Sequence, residues 1–433
     1  MHFFQRDIET MPRREIEAIQ LERLRHLVDY VDRNVPFYHK RLAEAGVTAD
    51  KIKTLSDIQY IPYTTKADIR DTYPFGLFAV DRKKIVRIHA SSGTTGKPTV
   101  VGYTKQDLET WSECVARLTM AAGATEDDIV QICFGYGLFT GALGLHYGLE
   151  KIGATVVPSS SGNTEKQIML MKDFGTSALV STPSYAYYIS EVARDIGIDP
   201  RTLNVRLGLF GSEGCTVELR EKIEQAWNLF ATDNYGMSEL MGPGVSGECR
   251  ERCGMHFAED HFLPEIIDPE TGAVLPRGEQ GELVVTTLTK EGIPLLRYRT
   301  KDITRIHYDT CACGRTHARM EKPTGRSDDM LKIKGVNVFP SQIESVLIAI
   351  PQVGANYQIV LGTKNYMDTF EINIEVTDAA LLDHFGELEK LQKLVHHKLQ
   401  TVLGLDAKIN LVQPRSLERF QGKAKRVIDN RVR

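Results

Sequence analysis

The sequence predicts an α/β fold, with a large N-terminal domain of mainly parallel sheet flanked by helices and a small α+β domain after it. From about Ile85 to Val217, short β-branched runs alternate with longer amphipathic stretches, the pattern of successive βα units. Toward the C-terminus one alternating strand pattern lies between two helical ones. A chain of 433 residues is long enough for two or three domains with substantial cores.

Each element has its own warrant. Ile16 to Glu44 carries apolar residues at helical spacing with Lys/Arg-rich faces, so residues 1–84 read as a helical lead-in. Ile85-Val86-Arg87-Ile88-His89-Ala90 reads as a strand. Ile129-Val130-Gln131-Ile132-Cys133, Ala154-Thr155-Val156-Val157 and Ala178-Leu179-Val180 continue the alternation. Glu282 to Leu288 is a strand leading to the Arg297 to Asp302 segment. Beyond it, Ile343 to Ile350 is helical, Glu371 to Val376 alternates as a strand, and Leu381 to Leu403 is helical again. The boundary is set near Arg326 to Asp328, giving domains of 1–326 and 327–433.

Charge and cysteine content narrow the classes of function. A net charge of -4 with both signs interspersed leaves no footprint for nucleic acid or an anionic membrane. No apolar run approaches a membrane span, and the residues after Met1 do not resemble an export signal, so a cytoplasmic location is expected. Seven cysteines, an odd number, argue for reduced thiols or metal ligands over a disulfide framework. Cys249, Cys253 and His256 lie within eight residues, and Cys311 and Cys313 flank Ala312 before Gly314. Tetrahedral zinc takes such ligands from two stretches of chain, and five candidates are present for its four positions.

The run Ser91-Ser92-Gly93-Thr94-Thr95-Gly96-Lys97-Pro98-Thr99 suits a loop whose N–H groups and hydroxyls surround phosphate oxygens at a strand end. It is not a P-loop: Gly93 and Gly96 are separated by two residues, and Pro98 follows Lys97 where that motif needs a hydroxyl. The run resembles the phosphate-binding loop of the acyl-adenylate-forming superfamily. The other motifs of that superfamily follow in order: Tyr235-Gly236-Met237-Ser238-Glu239, Tyr298-Arg299-Thr300-Lys301-Asp302, Gly325-Arg326-Ser327-Asp328-Asp329 with Lys332 and Gly335, and Gly422-Lys423-Ala424-Lys425-Arg426. Tyr136 to Gly141, Val100 to Thr104 and Gly335 to Glu344 are similar to the phenylacetate-coenzyme A ligase subfamily.

The resemblance implies an adenylate-forming N-terminal domain, a small mobile C-terminal domain and two-step chemistry. ATP and a carboxylate give an acyl-adenylate and pyrophosphate, and coenzyme A then displaces AMP. It implies that Ser91, Ser92, Gly93, Thr94, Thr95, Gly96 and Lys97 hold phosphate, and that Lys423 serves the carboxylate and α-phosphate oxygens, where charge builds. Glu239 holds magnesium and Asp302 accepts the ribose hydroxyls. Tyr235 lies against adenine, with Gly211, Ser212 and Glu213 adjoining and Asn234, Gly236, Met237 and Ser238 in the same nucleotide-binding set. Ser212 and Gly214 depart from the Ala and Pro common in the family. Arg326 belongs near the nucleotide and Asp328 at the hinge of the small domain. Related ligases with a metal show Glu-Cys, Gly-x-His and Cys-x-Cys-Gly, which selects Cys249, His256, Cys311 and Cys313 for a structural zinc and leaves Cys253 as the extra.

Tyr136 and Phe139 suit a wall of a flat apolar pocket, with Gly141 and Gly144 leaving room for an aryl ring. The resemblance favours phenylacetate, and another aryl or indolyl acid stays open. A homodimer is the expected state. Two rival functions remain at this point: an adenylation enzyme that loads a carrier protein, and a nucleotide-binding regulator without catalysis. Intact Lys97, Glu239, Asp302 and Lys423 speak against the second.

Overall fold

The structure, a computed structural model, describes residues 2–90, 98–327, 331–333, 336–364, 367–418 and 426–431. The chain forms two compact units. The first comprises Met1–Ser181, Thr202–Ser212 and Phe230–Lys322, and the second Thr182–Arg201, Glu213–Leu229 and Pro323–Arg433.

The first unit opens with helices Arg13–Asn34 and Pro36–Ala45. Pro36 stands at the start of the second, where its missing N–H costs nothing, and it holds Val35 extended at φ -123°, ψ 102°. Leu24, Leu27, Val28 and Val31 follow helical spacing and all are buried in the main core. Strands β1 (Arg87–Ala90) and β2 (Val100–Tyr103) form an antiparallel pair. The strand expected over 85–90 is therefore present but lies outside the parallel sheet. Its burial explains this: Val86 and Ile88 are exposed, whereas strands of a parallel sheet are covered on both faces.

The main sheet begins with β3 (Ile129–Ile132), β4 (Thr155–Val157), β5 (Ala178–Ser181), β6 (Leu207–Gly211) and β7 (Phe230–Met237). These five pair in parallel in the order β4-β3-β5-β6-β7. Every residue of β5 and β6 is buried, as parallel strands require. The sheet continues through β8 (Gly242–Glu248), β9 (Met255–Phe257), β10 (Phe262–Ile267), β11 (Gln280–Thr287), β12 (Tyr298–His307) and β13 (Arg319–Met320). They extend the sheet from β7 in the order β8-β9-β13-β12-β11-β10, all antiparallel.

In the second unit, strands Lys408–Val412, Met367–Val376, Val353–Lys364 and Val427–Asp429 lie side by side in that order. Ile343 and Leu347 of helix Pro340–Ile348 and Val395 and Leu399 of helix Phe385–Leu403 share one core with Ile359 and Ile372. The helix expected from Leu381 begins at Phe385, because Ala379–Asp383 forms a separate 3₁₀ turn whose Ala380 N–H donates to the Asp378 carboxylate. Among the described residues no helix is long and apolar enough to cross a membrane.

Buried ion pairs tie the first unit together. The Arg117 guanidinium, from helix Lys105–Ala122, grips Asp260 with two hydrogen bonds of 2.7 and 3.1 Å. Burial works to raise the Asp260 carboxyl, but the hydrogen bond and charge of His261 and the Arg117 charge outweigh it and hold the group well below its ordinary 3.8. A carboxyl depressed in the folded state contributes stability above its unfolded pKa and loses it as pH falls through the folded one. Asp260→Asn should therefore cost about 3–5 kcal/mol at pH 7, since it leaves a buried guanidinium uncompensated. Urea unfolding should show the gap to the parent protein narrowing below about pH 3.8. An unchanged gap would remove Asp260 from the acid response.

Candidate functional site

Gly211 ends β6 opposite Asn234 of the parallel β7, so both strands deliver their carboxyl ends to one edge of the sheet, where ligands of open α/β sheets bind. The Asn234 amide donates to the Phe210 carbonyl at 2.6 Å. Ser212 follows in the left-handed region at φ 71°. In the second unit, Glu213 accepts the Ser184 N–H at 2.7 Å.

β7 and β8 approach most closely at Gly236 and Gly242. A Cβ on Gly236 would lie 1.8 Å from the Gly242 carbonyl oxygen, so only glycine fits. The connection is a tight turn in which Leu240 and Met241 both donate their N–H to the Met237 carbonyl at 3.1 Å. Ser238 and Glu239 sit on that turn. The Ser238 hydroxyl pairs with that of Thr140 at 3.1 Å. Glu239 is buried, with its Oε1 at 3.4 Å from the Thr99 hydroxyl and 3.5 Å from the Lys66 ammonium. The Tyr235 hydroxyl donates to Asp302 Oδ2 at 2.5 Å. Three strands separate β7 from β12 in the sheet order, so the sheet curls to bring these two residues together.

The 136–144 segment adjoins this turn. Tyr136 pairs through its hydroxyl with His146 Nδ1 at 3.0 Å, His146 Nε2 meets Glu150 at 3.0 Å, and burial pushes the Tyr136 phenol upward. Phe139 is 54 % exposed, so it does not serve the core. Gly141 opens helix Gly141–Lys151, and a Cβ there would lie 4.0 Å from the Ser212 hydroxyl. The space beside Gly144 is filled by Trp111, whose ring a Cβ would meet at 2.3 Å. The Leu138 carbonyl accepts from the Ala90 N–H at 2.9 Å and from His89 Nδ1 at 3.0 Å, fastening this segment to the end of β1. Burial lowers the His89 pKa below its ordinary value.

A separate cluster forms after β8 and β12 in the first unit. Single donor atoms of Cys249, His256, Cys311 and Cys313 all lie within 4.8 Å of one another, and all four residues are buried. The Cys249 and Cys311 sulfurs are 3.8 Å apart and Cys313 Sγ is 3.5 Å from His256 Nε2, which matches the edges of a tetrahedron with metal bonds of about 2.0–2.3 Å. Hydrogen bonding to Cys249, against burial and with help from His256, drives the Cys313 thiol far below its ordinary value, while the Cys313 contact pushes Cys249 up. Cys253 is exposed, 3.3 Å from Cys311 Sγ and 2.8 Å from the Arg319 guanidinium, outside the group of four.

Ser91, Ser92, Gly93, Thr94, Thr95, Gly96, Lys97, Asp328 and Lys423 lie outside the described residues. Arg326 is half-buried in the short strand Gly325–Arg326 of the second unit. Lys66, Thr140 and Lys290 were not singled out from the sequence. Lys66 lies inside a Thr-x-x-Asp capping box formed by Thr65 and Asp68, a pattern that signals a helix start and hides a site lysine, and Lys290 follows a strand as many solvated lysines do.

The family model described as AMP-binding enzyme matches residues 18–289, and the AMP-binding enzyme C-terminal domain matches 335–431. The chain is 48% identical to the phenylacetate-coenzyme A ligase of Thermus thermophilus over 99% of both chains. It is 45% identical to that of Escherichia coli K12 over 98% of this chain and 97% of the other. The crystal structure of 2-hydroxyisobutyryl-CoA ligase in the postadenylation state superposes with a TM-score of 0.93 at 29% identity, over 99% of this chain and 92% of that one.

Gly236→Ala should cost at least about 1–3 kcal/mol, because the obstacle is backbone and cannot swing aside. Thermal melting should show a loss of several degrees; an unchanged melting temperature would mean that β7 and β8 do not approach in this way.

Proposed function

Because this chain belongs to the AMP-binding enzyme family, in the group that holds the phenylacetate-coenzyme A ligases, we propose that it joins phenylacetate to coenzyme A, driven by ATP cleavage. It is an acid–thiol ligase of the AMP-forming kind. A carboxylate oxygen attacks the α-phosphorus of ATP and pyrophosphate leaves. The coenzyme A sulfur then attacks the acyl carbon, its proton is lost, and AMP departs. Adenylation comes first because an oxide is too poor a leaving group for a thiol to displace. The observation that supports the site is the Tyr235–Asp302 hydrogen bond, which joins motifs 67 positions apart beside the turn that carries Glu239.

In this reading Asp302 accepts the ribose hydroxyls, and Tyr235 lies against adenine with Ser212 and Glu213 adjoining. Residues 91–97 cradle the phosphates. Lys423 brings fixed positive charge to the α-phosphate and carboxylate, where the transition state is most negative. The Glu239 carboxylate and Thr99 hydroxyl are hard oxygen donors that suit magnesium, which supplies charge neutralisation on the phosphates. Tyr136 and Phe139 form a wall of the aryl pocket, a role that the exposure of Phe139 supports. Residues 327–433 turn about Asp328 between the half-reactions. A homodimer completes the reading.

Three thiol sulfurs and an imidazole suit zinc in a closed structural site, with Cys249, His256, Cys311 and Cys313 as its ligands. Elemental analysis of protein prepared without chelators should give about one zinc per chain. Cys311→Ser should release it and lower the melting temperature while adenylation by the folded fraction persists. Zinc-free protein of full stability would overturn this assignment.

Mass spectrometry of reactions with ATP, magnesium, coenzyme A and a panel of aryl acids should show phenylacetyl-CoA, AMP and pyrophosphate. Lys423→Ala should slow adenylation by about a hundredfold and thioester formation from preformed adenylate much less. An adenylate that coenzyme A cannot capture would point to a carrier-protein acceptor, and equal losses in both half-reactions would defeat the role given to Lys423.

A further inference from the structure

Lys290 is a fully buried lysine of the first unit, and the chemistry described so far does not use it. Its ammonium donates to the main-chain carbonyls of Glu239 at 3.1 Å and Leu240 at 2.9 Å. It also lies 4.9 Å from the centre of the Tyr103 ring. The Tyr103 hydroxyl donates to the Met241 carbonyl at 2.9 Å, and the Trp111 indole N–H to the Pro243 carbonyl at 2.7 Å. The two rings stack at 5.0 Å. Four carbonyls between residues 239 and 243 are thus held by three buried donors from elsewhere in the chain.

Lys290 is itself held in place. Asp107 accepts the N–H groups of Glu291 at 2.7 Å and Gly292 at 2.9 Å, fixing the loop next to the lysine. Burial drives the ammonium down to about 8, against the pull of Asp107 and Glu239. Neutral donors would satisfy two carbonyls without desolvating a charge, so a packing role alone gives no reason for a lysine here. The Glu239 carboxylate meets Thr99 and Lys66 only at 3.4 and 3.5 Å, beyond the usual hydrogen-bond range. Neither contact holds the carboxylate tightly, so the placement of its main chain weighs more in where it points.

We propose that Lys290 is a positioning residue for Glu239: together with Tyr103 and Trp111 it clamps the 239–243 main chain, so that the carboxylate is already oriented for the magnesium-bound nucleotide. This rests on the reading of Glu239 as the magnesium ligand. Groups that orient a metal ligand have a recognisable signature, because their loss weakens metal use about tenfold to a hundredfold while substrates bound elsewhere are unaffected.

The test uses the full-length protein and follows pyrophosphate release without coenzyme A, titrating magnesium at fixed ATP and measuring the KM for the aryl acid and the melting temperature. Lys290→Met keeps the length of the side chain and removes donor and charge; Tyr103→Phe keeps the ring and removes one donor. Lys290→Met should raise the magnesium half-saturation about tenfold or more, and Tyr103→Phe should raise it less, with the KM for the acid within about twofold in both. If Lys290→Met does not fold, Tyr103→Phe decides by the same criterion. Glu239→Gln separates the two levels of the claim. If it leaves the magnesium dependence unchanged, the reading of Glu239 fails. If it impairs that dependence while the folded Lys290 and Tyr103 variants keep it, whatever their melting temperatures, the positioning role is overturned.

Discussion

The contact of Gly236 with the Gly242 carbonyl is the constraint on which the candidate site depends. The strands approach so closely at Gly236 that a Cβ there would strike the Gly242 carbonyl, and the turn between them is short. That turn carries Ser238 and Glu239, and the strand before it carries Tyr235. Trp111 packs against both Gly242 and Gly144, so the helix that follows the aromatic 136–139 segment rests on the same contact. Nucleotide and acyl candidates therefore share one rigid support, as chemistry between two bound substrates requires.

A second set of interactions fastens the helical lead-in to the sheet. Arg315 pairs with the buried Glu9 at 2.6 Å, and His317 and Thr316 reach the Ile8 and Met11 carbonyls. Arg13 grips Glu259 from the other side at 2.6 Å. The segment 315–317 follows directly on Cys311 and Cys313, so the cysteine cluster and the lead-in stabilise each other. Partly and fully buried pairs of this kind cost more to break than they contribute net, which makes them determinants of a unique arrangement more than a reserve of stability.

Much of this was legible in the sequence, for identifiable reasons. Buried parallel strands such as Ala178–Ser181 announce themselves as apolar runs, and the nucleotide motifs are contiguous in the chain. The four metal-ligand candidates were selected through resemblance, and the structure brings their donor atoms together. What could not be read depends on partners far away in sequence. β1 has the composition of a sheet strand, but its pairing with β2 is set by which face solvent covers. Lys66 and Lys290 look like ordinary charges until Glu239 and the carbonyls of residues 239 and 240 are placed beside them. Gly144 invites a reading as room for substrate, yet its missing side chain accommodates Trp111.

Ligation through an acyl-adenylate requires that the first half-reaction run reversibly without the thiol. The most direct measurement is exchange of labelled pyrophosphate into ATP with phenylacetate and magnesium present and coenzyme A left out. Exchange that depends on the acid is the expected result, with the acyl-adenylate as its intermediate. Exchange that appears only when coenzyme A is added, or that proceeds equally without any acid, would contradict an adenylate formed on this site.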